Sequence, residues 1–270
     1  MEHTYWHRQS EKPLFPELEW NKPERRDQAG KLLIIGGHLH NLGAPAMAFS
    51  SAKQTGMGNI KIALPDKTKR LVGQTLPEAL FLPSTATGEL SHKGEVELLD
   101  HAVWASSILL PGDNGRNSET TILFESVLRG YQDLAVVTRD AVDLLTNNPV
   151  QLFERERTTL IVSFAQLQTL VKKYGEPTAL SFTMDLVKLV DFLHIFTART
   201  QASIVTLHQN QIIVAANGQI STTKLTGAEP KHWRLDFASQ AVCYQTWNPL
   251  KPFEALTYVA YGCIDQTLQV

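Results

Sequence analysis

The 270-residue chain is short of cysteine, of net charge and of long apolar runs, and each shortage excludes something. Cys243 and Cys263 are its only cysteines. Both sit in apolar, helix-like surroundings, which suits two reduced core thiols better than a disulfide framework or a metal site. With 25 basic and 27 acidic residues interspersed, the net charge of −2 offers no footprint for nucleic acid or an anionic membrane. No stretch is long and apolar enough to span a bilayer, and the polar, aromatic N-terminus lacks the core of a signal peptide, so a cytoplasmic protein is expected. The usual chemical signatures are missing as well: no Gly-x-x-x-x-Gly-Lys-Ser/Thr, no Gly-x-Gly-x-x-Gly and no Gly-x-Ser-x-Gly. His38 and His40 form a His-x-His pair without an acidic or thiol partner nearby, so they read as loop residues and no metal is expected.

What is present is an alternation. Apolar runs at Leu32 to Ile35, Ile60 to Leu64, Ile108 to Leu110, Leu134 to Thr138, Thr159 to Ser163 and Ala202 to Leu207 are separated in several cases by segments of helical spacing. Continuous apolar strands of this kind imply an α/β fold, with a mostly parallel sheet covered on both faces. Later, His208-Gln-Asn210 and Asn217-Gly218 predict tight hairpins, hence antiparallel strands toward the C-terminal edge. Two helices are expected after Pro230, from about Leu235 to Thr246 and Phe253 to Ile264. No linker, repeat or low-complexity segment interrupts the chain, so residues 1–270 read as one domain. Residues 1–28, with Pro13, Pro16 and Pro23 among charges, read as a tail packed on its surface.

The most informative stretch is Lys31 to Gly58. It reads as a buried strand, a turn at Gly36-Gly37, and a helix opened by Gly43-Ala44-Pro45 and closed near Gly56 and Gly58. Free amides and the helix dipole at such an N-terminus favour an anion, which makes a nucleotide-like ligand the first expectation. Asp140, just beyond the Leu134 to Thr138 strand, stands where open α/β sheets place ligand-facing groups. It also reads as a helix N-cap, the simpler of the two roles.

Several segments, in order, resemble the ADP- or ATP-dependent NAD(P)H-hydrate dehydratases, a nicotinamide-repair branch of the ribokinase-like superfamily. Ile34 to Ala48 is similar to that family's Gly-Gly-Ser-x-x-Tyr-x-Gly-Ala-Pro signature, and Lys53-Gln-Thr-Gly-Met-Gly58 to its Arg-x-Gly-Ala-Gly. Leu76-Pro-Glu78, Leu109-Leu-Pro-Gly-Asp-Asn-Gly-Arg116 and Val137 to Leu145 resemble its Pro-Glu, its Gly-Pro-Gly-Leu-Gly loop and its Asp-Ala-Asp-Ala-Leu strand end. Ile204 to Gly218 resembles the strands around its Lys-Gly. The likeness runs over roughly residues 20 to 265. It implies a ribokinase-like α/β/α sandwich and a carbon–oxygen lyase that dehydrates hydrated NADH or NADPH with ADP or ATP, accompanied by Mg2+. By the same likeness, Asp236 is the base. Gly43, Ala44, Gly112, Gly115 and Asp140 line the substrate side, while His208, Lys231 and Arg234 lie on the nucleotide side. The implied partner is an NAD(P)H hydrate or related nucleotide, and a homo-oligomer is compatible with the sequence.

The departures are concentrated at the phosphate end. Where the family has a Gly-Thr-Gly-Asp turn, Thr226-Gly-Ala-Glu-Pro-Lys-His-Trp-Arg-Leu-Asp-Phe-Ala238 offers Trp233, Arg234 and Leu235 in place of glycines, so the backbone cannot approach a phosphate as closely. Lys231 and Arg234 read either as charged substitutes for the lost amides or as surface charges beside an N-cap Asp236. The family's Thr-Pro-His is replaced by Ile161-Val-Ser-Phe164, and its Lys-Gly falls at Leu207-His-Gln209. Three readings follow: a working dehydratase, a relative that has lost or altered the reaction while keeping a cleft or only the fold, and a small-molecule kinase, which needs the missing anion hole most. The pattern of losses favours the second, while the family function remains the best single label.

Overall fold

A computed structural model describes residues 3–226 and 231–265. The apolar runs pair into one ten-stranded sheet. Its strands are β1 (Trp6–Arg8), β2 (Lys31–Ile35), β3 (Asn59–Pro65), β4 (Ala79–Leu82), β5 (Ser107–Leu110), β6 (Leu134–Thr138), β7 (Thr158–Val162), β8 (Ser203–His208), β9 (Gln211–Ala216) and β10 (Gln219–Lys224). Their spatial order is β1-β10-β9-β8-β7-β6-β5-β2-β3-β4. β9 runs antiparallel to both neighbours and the other pairs are parallel. The helices are α1 (Gly43–Thr55), α2 (Lys69–Val72), α3 (Glu95–Trp104), α4 (Ser118–Gly130), α5 (Asp140–Leu145), α6 (Pro149–Glu154), α7 (Phe164–Tyr174), α8 (Leu186–Thr197), α9 (Trp233–Trp247) and α10 (Pro252–Asp265).

The layers follow from the two-residue period of the strands. Leu33 and Ile35 of β2 join Ile108, Leu110 and Val137 under α3 to α8. Leu32 and Ile34 point the other way, into a second core with Leu109, Val136 and the apolar faces of α1, α9 and α10. Both faces of the central strands are therefore buried, which is why they read as unbroken apolar runs. Fully buried rings such as Phe124, Phe153 and Phe237 each contribute roughly 1.5–3 kcal/mol by leaving water.

The turns match their residues. Gln209 and Asn210 (φ 48° and 60°) close the β8–β9 hairpin, and Asn217 and Gly218 (φ 50° and 74°) close β9–β10, the left-handed conformations that two-residue hairpins require. Two strands lie outside the sequence expectation. β4 is a four-residue edge strand, too short to show a pattern. β1 lies within the stretch expected as a surface tail and runs along β10. Trp6 Nε1 donates to Thr222 Oγ1 at 3.0 Å, and the Tyr5 ring stacks on His194 at 3.6 Å. The segment thus covers a sheet edge that would otherwise expose unpaired amides. Cys243 and Cys263 are buried and unbridged, and burial pushes the Cys263 thiol up to about 12. Among the described residues no helix is long and apolar enough to cross a membrane.

Candidate functional site

The carboxyl ends of β2, β5, β6 and β7 meet the start of α1 in one polar cluster. β2 runs into Gly36 and Gly37, and His38 and Asn41 close a small loop through two backbone hydrogen bonds of 3.0 Å. At Gly36 a Cβ would sit 2.9 Å from Asn114 Oδ1 and 3.0 Å from Gly112 O, so glycine is what lets the β2 and β5 loops touch.

At the start of α1, Gly43 N donates to Asn41 Oδ1 (3.2 Å) and Ala44 N to Asp113 Oδ2 (2.6 Å). Pro45 has no amide hydrogen, and Ala46 N donates to Leu42 O. The first-turn donors expected to receive an anion are met by the chain's own groups. Asp113 is only 8% exposed, and its other oxygen receives Arg139 Nη2 at 3.0 Å. The expected anion at this helix N-terminus is therefore present as a side chain.

Asp140 secures the same loop from the other side. Its Oδ1 accepts from Asp113 N (2.7 Å) and its Oδ2 from Asn114 N (2.8 Å). This corrects its reading as an N-cap: Asp140 is the first residue of α5, the cap position is Arg139, and no side chain caps it. The carboxylate has two amides of the adjacent loop to satisfy instead. Gly112 adopts φ +109°, and a Cβ there would lie 2.3 Å from Asp140 Oδ1, so the β5 loop and Asp140 specify each other. Next to them the Asn114 side chain, 1% exposed, finds no partner for Oδ1 or Nδ2 among the described residues.

Gln166 ties the cluster to the late helix. It caps α7 together with Ser163, and its Nε2 donates to Arg139 O (2.7 Å) and Asp143 Oδ1 (2.8 Å). Its Oε1 accepts from Arg234 Nη1 at 2.8 Å. The structure thus brings Gly43, Ala44, Gly112, Asp140 and Arg234 into one network. His208 stands apart: its ring stacks on Phe164 at 4.5 Å, Phe182 also meets Phe164 at 5.1 Å, and Nε2 meets Met184 O at 2.9 Å. Gly115 adopts φ +73° against Glu89, and Lys231 is exposed.

Asp236 lies in the first turn of α9 rather than at its cap, which is His232. Partial burial raises its carboxyl above the ordinary 3.8, opposed by His232. α9 packs against α10, and the charge of Asp236 helps burial to raise the Cys263 thiol. Trp233 and Leu235, standing where the resemblance puts glycines, are both buried. Residues 227–230 of that stretch lie outside the described residues. Among the described residues no group of three His, Cys, Asp or Glu side chains could hold a metal ion.

Sequence reading missed Asp113, Arg139 and Gln166. One signal was available: an acid at Asp113, where the similar family's Gly-Pro-Gly-Leu-Gly loop has an apolar residue, inside a loop expected to line the substrate side.

The mostly parallel sheet, helices on both faces and antiparallel C-terminal edge give a ribokinase-like α/β fold. No family model matches the chain. In sequence it is similar to the bifunctional NAD(P)H-hydrate repair enzyme Nnr of Dictyoglomus turgidum, 27% identical over 128 residues, covering 46% of this chain and 25% of that enzyme. It is equally similar to the enzyme of the same name from Methanothermobacter thermautotrophicus, 27% over 136 residues, 49% of this chain and 26% of the other. The match thus spans about a quarter of these curated relatives. In structure it is similar to a ribokinase-like superfamily protein of Enterococcus faecalis (TM-score 0.73, 15% identity, 100% of this chain and 90% of that one). It is also similar to the ADP/ATP-dependent NAD(P)H-hydrate dehydratase of Bacillus subtilis co-crystallised with ATP/Mg2+ (TM-score 0.58, 16% identity, 88% and 79%). The resemblance to NAD(P)H-hydrate dehydratases read from the sequence is borne out.

Proposed function

We propose that this chain is a divergent NAD(P)H-hydrate dehydratase-like protein in which the ancestral ADP- or ATP-dependent dehydration has been lost. The observation that carries this reading is Asp113. Its carboxylate takes the Ala44 amide at 2.6 Å and pairs with Arg139, on the wall that the resemblance assigns to the substrate. A substrate reaching that wall would have to displace a charge-assisted hydrogen bond and an ion pair, and charge-assisted bonds are the strong ones.

The nucleotide side supports the same reading. Among the described residues, two of the groups expected to hold ADP or ATP are engaged elsewhere: Arg234 is turned onto Gln166, and His208 is buried with its ring stacked on Phe164. Trp233 and Leu235 are packed into the core where a phosphate needs approachable amides. The described residues at this end do not fit the nucleotide. Losing one preorganised donor costs about 10²–10³ in rate, so losing several leaves little turnover.

One observation favours a surviving reaction. The raised carboxyl of Asp236 is shifted toward the range of a general base. The test follows recovery of reduced-nicotinamide absorbance from hydrated NADH and NADPH with ADP or ATP and Mg2+, for the intact chain and for Asp236→Ala. The expected result is no recovery with either protein. Turnover by the intact chain that Asp236→Ala abolishes overturns the proposal and restores the dehydratase.

A further inference from the structure

A cavity of about 630 Å3 opens at the other end of α1, where β2 and β3 begin. It forms because the segment Lys22 to Ala29 crosses the Gly56-Met57-Gly58 turn and is fastened there. Arg26 Nε donates to Gly58 O at 2.7 Å, and Gly58 N donates to Ala29 O at 3.0 Å. A Cβ at residue 58 would lie 2.1 Å from Arg26 O, so the crossing depends on glycine at that point. The volume lies within the range of small-molecule sites, about 300–1,000 Å3.

Its lining is cationic with an apolar floor. Lys22, Arg26, Lys53 and Lys61 face Glu24 and Glu78, an excess of two positive charges. Among the described residues, none of the four cations lies within 4.0 Å of a carboxylate. Lys22 and Lys53 have an ordinary structural role at the negative end of α1. Lys61 and Arg26 are held differently: Lys61 comes from β3, with Nζ 4.2 Å from the Trp104 ring, and Arg26, fastened to Gly58 O through Nε, comes from the crossing segment. The apolar part of the lining comes from Phe49, Met57 and Ile60.

We propose that this cavity binds a small phosphate monoester carrying an apolar ring, with the phosphate among Lys22, Arg26, Lys53 and Lys61 and the ring on the Phe49 and Met57 floor. A phosphate dianion matches the excess charge, and lysines serve phosphate as point charges. The site is independent of the cluster around Asp113, at the opposite ends of the strands.

The test is thermal unfolding with three probes: phenyl phosphate, AMP and inorganic phosphate. A ligand that binds only the native state raises the melting temperature by mass action. Saturable rises are expected with phenyl phosphate and AMP, larger than with inorganic phosphate and weakened by added salt. The double variant Lys53→Glu with Lys61→Glu should lose both rises, while Lys188→Ala, an exposed position in the first turn of α8, should keep them. Should charge reversal impair folding, the milder Lys53→Ala with Lys61→Ala replaces it. No rise with either ring-bearing probe, equal rises with inorganic phosphate, or rises that survive the lysine substitutions overturn the proposal.

Discussion

The two ends of α1 meet opposite fates. At the amino end, donors that commonly receive a ligand anion are taken by Asn41 and Asp113. At the carboxyl end, a cationic cavity is left open with no carboxylate of the chain within pairing distance among the described residues. A strand, a glycine turn and a helix make a demand for negative charge, and the chain itself can answer it. The presence of that architecture therefore does not by itself distinguish a binding site from a closed one.

The sharpest way to break the contrast is to remove the internal anion. Asp113→Ala deletes a charge-assisted hydrogen bond and leaves Arg139 without its partner, at an expected cost of about 2–4 kcal/mol. Part of that cost is backbone strain, since residue 113 adopts φ 60°, so Asp113→Gly should cost less. Urea unfolding measures both. Inorganic phosphate should then stabilise Asp113→Gly at the vacated amide more than it stabilises the unaltered chain. Equal stability of Asp113→Ala and the unaltered chain would show that the amino end of α1 is not self-satisfied.

Asp140→Ala tests the support behind it. Two amides, of Asp113 and Asn114, lose their acceptor in a loop that water barely reaches, and the expected cost is about 1–3 kcal/mol. Asp140→Asn, which keeps one acceptor oxygen, should fall between the two. An Asp140→Ala stability within error of the unaltered chain would show that the loop amides of Asp113 and Asn114 do not depend on Asp140.

That local reading shows where sequence ceases to inform. The central strands were legible because burial on both faces leaves apolar runs such as Leu32 to Ile35, and α1 was legible because Gly43 and Gly56 punctuate it. β4 and β1 were not, since three or four residues at a sheet edge carry no period. The cluster at the strand ends depends on pairs far apart in the chain: Ala44 with Asp113, Asp113 with Arg139, Gln166 with Arg234. Each of these residues has an ordinary local role, as helix start, turn or cap, and only the register of β2, β5, β6 and β7 brings them together. The family likeness identified the loops without identifying what fills them.

Asp236 gives a smaller effect with a definite sign. Its folded value lies above the ordinary 3.8, so the ionised form is disfavoured in the folded state. Its contribution is most favourable below that ordinary value and declines as pH rises through the raised folded value. Asp236→Asn should therefore stabilise the protein at neutral pH, by less than about 1 kcal/mol given the solvent screening of a half-exposed group. The gain should vanish once the pH falls below the unfolded value. Paired urea titrations at the two pH values check it, and a loss of stability at neutral pH would mean that Asp236 has a stabilising partner.

The smallest effect is expected at the open end of α1, and its smallness is informative. Lys53 is exposed, its ammonium lies 5.7 Å from the Phe49 ring, and it has no carboxylate within pairing distance among the described residues. Lys53→Ala removes a weak dipole and ring interaction but also relieves repulsion from Lys22, Arg26 and Lys61, so stability should change by no more than about 0.5 kcal/mol in either direction. Asp113, by contrast, is held by partners the fold supplies, and its removal registers in unfolding without any added ligand. If Lys53→Ala proved as costly as Asp113→Ala, the cations would belong to the architecture and the contrast between the two ends of α1 would collapse. A neutral substitution that nevertheless weakens phenyl phosphate binding would instead separate ligand recognition from folding at this end, a separation that the amino end, where one carboxylate serves both the fold and the anion demand, does not permit.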